Sequence, residues 1–318
     1  MAEIGNNIEI AKQLLEQGEL VAIPTETVYG LAGNALNEVA VLEIFKVKDR
    51  PQFDPLIVHV ASLEKAKELV DDFPEKAERL AARFWPGPLT LLLKKKPHIP
   101  DLVTSGLDTV GVRCPNHELT RALLQQLPFP LAAPSANPFG YISPTRAEHV
   151  NEQLGDKIKY ILDGGECVVG IESTIVGFED DYPVVYRLGG LGIEQIESVV
   201  GKVRVQLNTS SNPQAPGQLK SHYAPKKKMM LGDLAELIRD YGTERVGVLT
   251  FQKQISQVDL NNQFALSAEG NLEEAAQRLF ASLRALDKKD VDIILAEEVP
   301  NMGLGKAIND RLRRAAAD

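Results

Sequence analysis

The sequence predicts an α/β protein with a large twisted, partly mixed sheet, followed by a second and smaller α/β unit. Three observations carry this reading. Across the first two-thirds of the chain, short apolar runs alternate with amphipathic stretches. The apolar runs are too many and too short for a strict βαβ array, so the sheet should be mixed. A stretch rich in Ser, Asn, Pro and Gly, Asn208–Gln218, then breaks the pattern before it resumes.

Strands are expected at Leu20–Pro24, Leu56–Val60, Leu89–Leu93, Thr109–Arg113, Pro130–Pro134, Tyr160–Leu162, Ser173–Gly177 and Val184–Arg187. Helical segments lie near Ile8–Gln17, Glu38–Lys48, Pro74–Phe84, Glu118–Leu127 and Arg146–Leu154. Past the polar stretch, Val246–Phe251 and Val291–Ala296 read as buried strands and Lys306–Ala316 as a last helix. Between them, Leu272–Leu286 sets Leu272, Ala275, Ala276, Leu279, Phe280, Leu283 and Leu286 on one helical stripe, with charges opposite. The expected division is a first domain over 1–205, a linker over 206–227, and a second domain over 228–318.

Composition narrows the function class. Of 318 residues, 44% are hydrophobic and 25% charged, as in ordinary soluble proteins. The first twenty residues lack the basic start and continuous apolar run of a signal peptide. No window approaches the ~20 apolar residues of a membrane span. A cytoplasmic protein is expected, with Cys114 and Cys167 reduced. A net charge of -9 argues against a protein that lives by gripping phosphate backbones, but leaves room for a local cationic pocket. The sequence has no GxxxxGK[ST] loop, no strand-to-helix GxGxxG, no HExxH or zinc-spaced Cys/His cluster, and no GxSxG elbow.

What remains is a set of polar clusters at the ends of apolar strands, where open α/β sheets bind ligands. Thr25, Glu26, Thr27 and Gly30 lie in Pro24–Leu31 directly after a strand, where hydroxyls and a carboxylate could meet a small polar ligand. An ordinary capped connection is the structural reading of the same residues. Lys48 and Arg50 end a helix, where they suit either phosphate binding or the helix macrodipole. Ser135 and Asn137, with Ser143 after them, offer neutral hydrogen bonds or simple turn chemistry. Arg113 and Arg187 end apolar strands and should each meet an anion, either a ligand or a structural carboxylate. His59 ends another strand and reads as a core histidine as readily as a ligand group.

The order of these segments is more specific than any one of them. Pro24-Thr25-Glu26-Thr27-Val28-Tyr29-Gly30-Leu31 is followed by Lys48-x-Arg50-Pro51, Trp85-Pro86-Gly87-Pro88-Leu89-Thr90, Val112-Arg113, Ser135-x-Asn137, Ser143-Pro144-Thr145 and Gly170-Ile171-Glu172-Ser173-Thr174. The series closely resembles the YrdC-type threonylcarbamoyl-AMP synthases over Leu20 to Gly190. It continues through Ala215-Pro216-Gly217 and Ser221-His222-Tyr223-Ala224-Pro225, as in the longer two-domain members.

The resemblance implies a YrdC/DHBP synthase-like sheet with a Rossmann-like second domain. It also implies conversion of ATP, bicarbonate or carbon dioxide and L-threonine to threonylcarbamoyl-AMP and pyrophosphate, for tRNA modification by a downstream threonylcarbamoyl transferase. Lys48 and Arg50 would carry the catalytic charge. The same two, with Ser135, Asn137, Ser143, Arg187 and Tyr223, would bind ATP, and Thr25, His59, Arg113 and Ser173 would surround threonine. Magnesium would arrive with ATP, with no protein metal site. Asp54 stands where members often carry Asn, adding a negative charge near the clamp. The alternative is an RNA-binding module of the same machinery without its own catalysis, which the net charge and the lack of basic-aromatic interleaving disfavour.

Overall fold

The computed structural model describes residues 1–207 and 222–317. The polar stretch Asn208–Gln218 and Ser221 therefore lie outside the described residues. Among those described, the first unit carries eleven strands: β1 (Glu3–Gly5), β2 (Val21–Ile23), β3 (Gly30–Asn34), β4 (Ile57–His59), β5 (Leu89–Lys94), β6 (Thr109–Arg113), β7 (Leu131–Ala132), β8 (Tyr160–Leu162), β9 (Thr174–Glu179), β10 (Tyr182–Arg187) and β11 (Arg204–Val205). Its helices are α1 (Ile8–Glu16), α2 (Glu38–Lys48), α3 (Leu63–Lys67), α4 (Glu75–Phe84), α5 (Asp101–Thr104), α6 (Glu118–Gln126), α7 (Ala147–Leu154) and α8 (Ile193–Val200). The second unit holds β12 (Lys228–Leu231), α9 (Leu234–Tyr241), β13 (Val246–Thr250), β14 (Gln263–Ala265), α10 (Leu272–Asp287), β15 (Ile293–Ala296) and α11 (Gly305–Ala315).

The large sheet runs β1-β8-β2-β3-β7-β4-β6-β5-β9-β10-β11. It is mixed as expected: β4/β6 and β5/β9 are parallel, while β2/β3, β5/β6 and β9/β10 are antiparallel. The edge strands β1 and β11 have only three and two residues, too few to leave an alternating pattern in the sequence. Within Pro24–Leu31, residues 24–29 connect the antiparallel neighbours β2 and β3, and Gly30 and Leu31 already belong to β3. The second sheet is wholly parallel, in the order β12-β15-β13-β14. Of its strands, β12 and β14 had no expectation in the sequence.

One apolar cluster runs through both units. It joins Ile142, Ala147 and Val150 of the first to Ala276, Phe280 and Leu283 of the second. Charges do not all sit opposite the α10 stripe: Arg284 is 1% exposed. It crosses into the first unit, donating to the carbonyls of Ile142, Ser143 and His149 and lying 5.0 Å from the Tyr141 ring centroid.

Gly170 lies directly against the second unit. It has φ +77°, and a Cβ there would lie 2.4 Å from Gln277 Cα and 2.6 Å from the Ala276 carbonyl oxygen, both α10 backbone. Gly170→Ala is expected to cost about 2–4 kcal/mol of unfolding free energy, combining backbone strain and overpacking. Urea denaturation measures it, and an unchanged midpoint would contradict this packing.

Candidate active site

The pairing of strands brings distant residues to one place. β4 and β6 are parallel with His59 beside Arg113. β10 carries a register irregularity between Val185 and Arg187, the kind of bulge that re-aims a side chain. The resulting cavity is lined by Thr25, Thr27, Arg50, His59, Arg113, Ser135, Glu172, Ser173, Arg187, His222 and Tyr223 among others. Eight of the eleven residues proposed for substrates are in that wall. Lys48, Asn137 and Ser143 are buried beside it but do not line it.

The reason is visible in their bonds. α2 ends at Asp49 in the left-handed conformation (φ 53°), so Lys48 and Arg50 diverge. The Lys48 ammonium donates to the carbonyls of Ser135 and Asn137, both at 2.5 Å, and so holds the loop after β7. Burial and nearby Arg50 push its pKa well below the usual lysine value. Asn137 donates to the Pro138 and Tyr141 carbonyls, closing its own loop. Ser143 donates to Glu172 Oε1 at 2.6 Å.

Arg50 donates to the carbonyls of Asp54 (3.1 Å) and Pro55 (2.8 Å) and lies 2.9 Å from the Asp54 carboxylate. Asp54 thus points at the clamp and is fully buried, which raises its pKa against the pull of Arg50, Lys48 and Arg187. Arg113 donates to Thr27 Oγ1 at 2.9 Å and sits 2.8 Å from Glu26. Arg187 donates to the Ser173 carbonyl and to Ser173 Oγ at 3.0 Å. The Thr25 hydroxyl donates to the Val28 carbonyl and accepts from the amides of Thr27 and Val28, so it mainly shapes the turn.

Sequence reasoning missed three wall groups: Thr27 as the neighbour of Arg113, Glu172, and His222. It also missed Arg311 of α11, fully buried, which donates to Glu172 Oε2 at 2.9 Å. Near the cavity, the buried cations Lys48, Arg50, Arg113, Arg187 and Arg311 thus outnumber the buried carboxylates Glu26, Asp54 and Glu172. The surplus charge suits a polyanion.

Tyr223 forms part of the same wall. It is 2% exposed, with φ 64°, a conformation bulky residues adopt only when their surroundings demand it. Its ring stacks on Phe280 (centroids 5.5 Å apart) and meets His222 edge-on at 4.2 Å.

Three buried histidines are held neutral. Burial, aided by Arg113, lowers the pKa of His59 to about 3. Burial lowers His149 to about 3 beside Arg284, and His222 well below its usual value beside Arg50 and Lys48. In the unfolded chain each gains a proton below about pH 6.5. The stability from keeping them neutral is therefore complete above pH 6.5 and drains away as pH falls toward 3. The expected slope is on the order of 1 kcal/mol per pH unit for each histidine, partly opposed by Asp54. Urea unfolding at pH 7, 6 and 5 measures it, and a flat profile would refute neutral burial.

Fold and cavity together define a class: a two-unit α/β protein whose large sheet holds a cation-lined pocket of a kind suited to a small anion. The comparisons with known proteins carry the identification to a family. Residues 13–189 match the Sua5/YciO/YrdC family, described as telomere recombination, and residues 191–317 match the threonylcarbamoyl-AMP synthase C-terminal domain. The chain belongs to the Sua5/YciO/YrdC family.

The threonylcarbamoyl-AMP synthase of Pyrococcus abyssi is 44% identical over 97% of this chain and 94% of its own length. That of Bacillus subtilis is 43% identical over 96% and 92%. The crystal structure of P. abyssi Sua5 complexed with L-threonine superposes with a TM-score of 0.92 at 42% identity, covering 99% of this chain and 97% of that one.

Proposed function

We propose that the chain makes threonylcarbamoyl-AMP from ATP, L-threonine and bicarbonate or carbon dioxide, releasing pyrophosphate. The observation that carries this is a single cavity whose wall brings Arg113, Thr25, His59 and Ser173 together with Arg50, Ser135, Arg187 and Tyr223. One group of side chains suits an amino acid and the other a triphosphate. Relatives named threonylcarbamoyl-AMP synthase, similar over nearly the full chain, support it. Cations buried in a cavity suit a small ligand better than a nucleic-acid backbone, which needs them on the surface.

The threonine amine attacks the carbon of carbon dioxide or bicarbonate, a C–N bond forming as a C=O π bond opens or water leaves, with the amine proton passing to water or a substrate phosphate. A carbamate oxygen then attacks the ATP α-phosphate, breaking its bond to the β-phosphate and releasing pyrophosphate. Alignment and charge neutralisation do most of this work. Arg113 takes the threonine carboxylate while Glu26 and Thr27 hold its guanidinium in place. Arg50 and Arg187 oppose the charge growing on pyrophosphate. Lys48 acts through the loop it fastens. Tyr223 keeps water from the short-lived carbamate.

His59, with its pKa held near 3, is too weak a base to strip an ammonium, and serves as a neutral hydrogen-bond partner. Magnesium belongs to the ATP substrate. The buried carboxylates nearby are each engaged by a guanidinium, and no group of three or more metal-ligating side chains occurs among the described residues. No helix among the described residues is long and apolar enough to cross a membrane. A cytoplasmic enzyme supplying a tRNA threonylcarbamoyl transferase is the setting we infer.

The test is product analysis after incubation with ATP, magnesium, bicarbonate and each amino acid in turn. Threonine should give the adenylate and pyrophosphate. Equal turnover with unrelated amino acids, or none with threonine, would reject the reading.

A further inference from the structure

Glu172 is an anomaly in an anion-binding cavity. It lines the wall at 6% exposure, where a carboxylate repels phosphate. Its two oxygens are occupied: Oε1 accepts from Ser143 and Oε2 from Arg311 Nε at 2.9 Å. Arg311 comes from α11, in the other unit. It also donates to the Leu188 carbonyl at 2.8 Å and to Asp310, and its guanidinium lies 5.1 Å from the Tyr223 ring centroid. Burial works against its charge, but Tyr223, Glu172 and Asp310 more than offset this. One buried cation of the second unit therefore touches both a wall carboxylate and the closing aromatic ring.

We infer that Arg311 is a positioning residue for the nucleotide: it neutralises Glu172 against the incoming phosphates and seats Tyr223 over them. The small domain thereby sets nucleotide affinity at a cavity built by the large one. Without Arg311, Glu172 stands as an uncompensated anion facing the triphosphate and the ring loses its cationic support. Arg311 bonds to Glu172, Asp310 and the Leu188 carbonyl rather than to Arg113, Thr25 or His59, and Ser173, next to Glu172 in the chain, is held separately by Thr90 and Arg187. The effect should therefore fall on one substrate.

This inference rests on the proposed reaction, so binding and turnover are measured separately. Full-length wild type, Arg311→Met, Glu172→Gln and the double variant are titrated calorimetrically with magnesium-ATP and, separately, with L-threonine. Pyrophosphate release and melting temperature are followed alongside. Arg311→Met should weaken ATP binding tenfold or more and change threonine binding by less than about threefold. Glu172→Gln added to Arg311→Met should restore most of the lost ATP affinity, because no bare carboxylate then remains.

A double variant no better than Arg311→Met, or equal losses for both ligands tracking a lowered melting temperature, would overturn the inference by reducing Arg311 to a structural residue. Wild type that binds ATP in this pattern yet forms no adenylate would instead reject the reaction and support the nucleotide latch. Normal turnover without the rescue would do the reverse.

Discussion

Arg50→Ala should lower pyrophosphate release by about 10²–10³-fold, the scale of one lost electrostatic contact to a developing charge. Two losses combine. The guanidinium no longer opposes the phosphates, and Asp54, buried 2.9 Å from it, becomes an anion beside them. Stability should fall as well, by about 3–5 kcal/mol, because one partner of a buried pair is left alone.

Adding Asp54→Asn to Arg50→Ala separates the two. The second change should recover part of the stability and of the ATP affinity, but not the catalytic charge. Steady-state pyrophosphate release with ATP varied, beside urea unfolding, reads both. Near-normal release by Arg50→Ala would refute its place opposite the phosphates.

Tyr223→Ala should reduce product formation about 10²-fold, while Tyr223→Phe stays within a few-fold of wild type. The argument is the ring. Stacked on Phe280 and supported by Arg311, it forms part of the cavity wall and in the proposed reaction would keep water from the carbamate. Alanine opens that wall and removes a buried aromatic, a loss of about 3–5 kcal/mol in packing alone. Phenylalanine keeps the shape. Initial rates at saturating ATP and threonine test the pair, and equal activity in Tyr223→Ala and wild type would remove the closing role.

Much of the fold was legible because apolar runs and helical stripes are local. Glu38–Lys48 emerges as α2 with the bounds expected. The strand ends that carry Arg113 and Arg187 also lie where expected, and β-pairing then draws them into one cavity. Orientation was less legible. Lys48 and Arg50, two residues apart, read as one clamp, but the left-handed turn at Asp49 sends the ammonium to backbone carbonyls. The sequence signals that turn only weakly: Pro51 ends the helix, but the left-handed position after a helix usually takes Gly or Asn rather than Asp.

Arg311 and Arg284 were missed for a different reason. Each sits in a helix near other charges and reads as solvated. A signal did exist: Arg311 shares the stripe of Ile308, Leu312 and Ala315, and Arg284 that of Phe280 and Leu283. A charge on an apolar stripe belongs to an interface between units, which only the assembled chain reveals. Glu172 had no such signal, because its partners come from a loop and from the far end of the chain.

Position 170 works as a gauge of architecture. A hydrogen atom is all the space allows there while the helix from the second unit lies across it. In a relative lacking that unit, only the backbone angle would still ask for glycine, and Asn or Asp could stand in. A single residue thus records whether a chain was shaped to live with its companion lobe or without one.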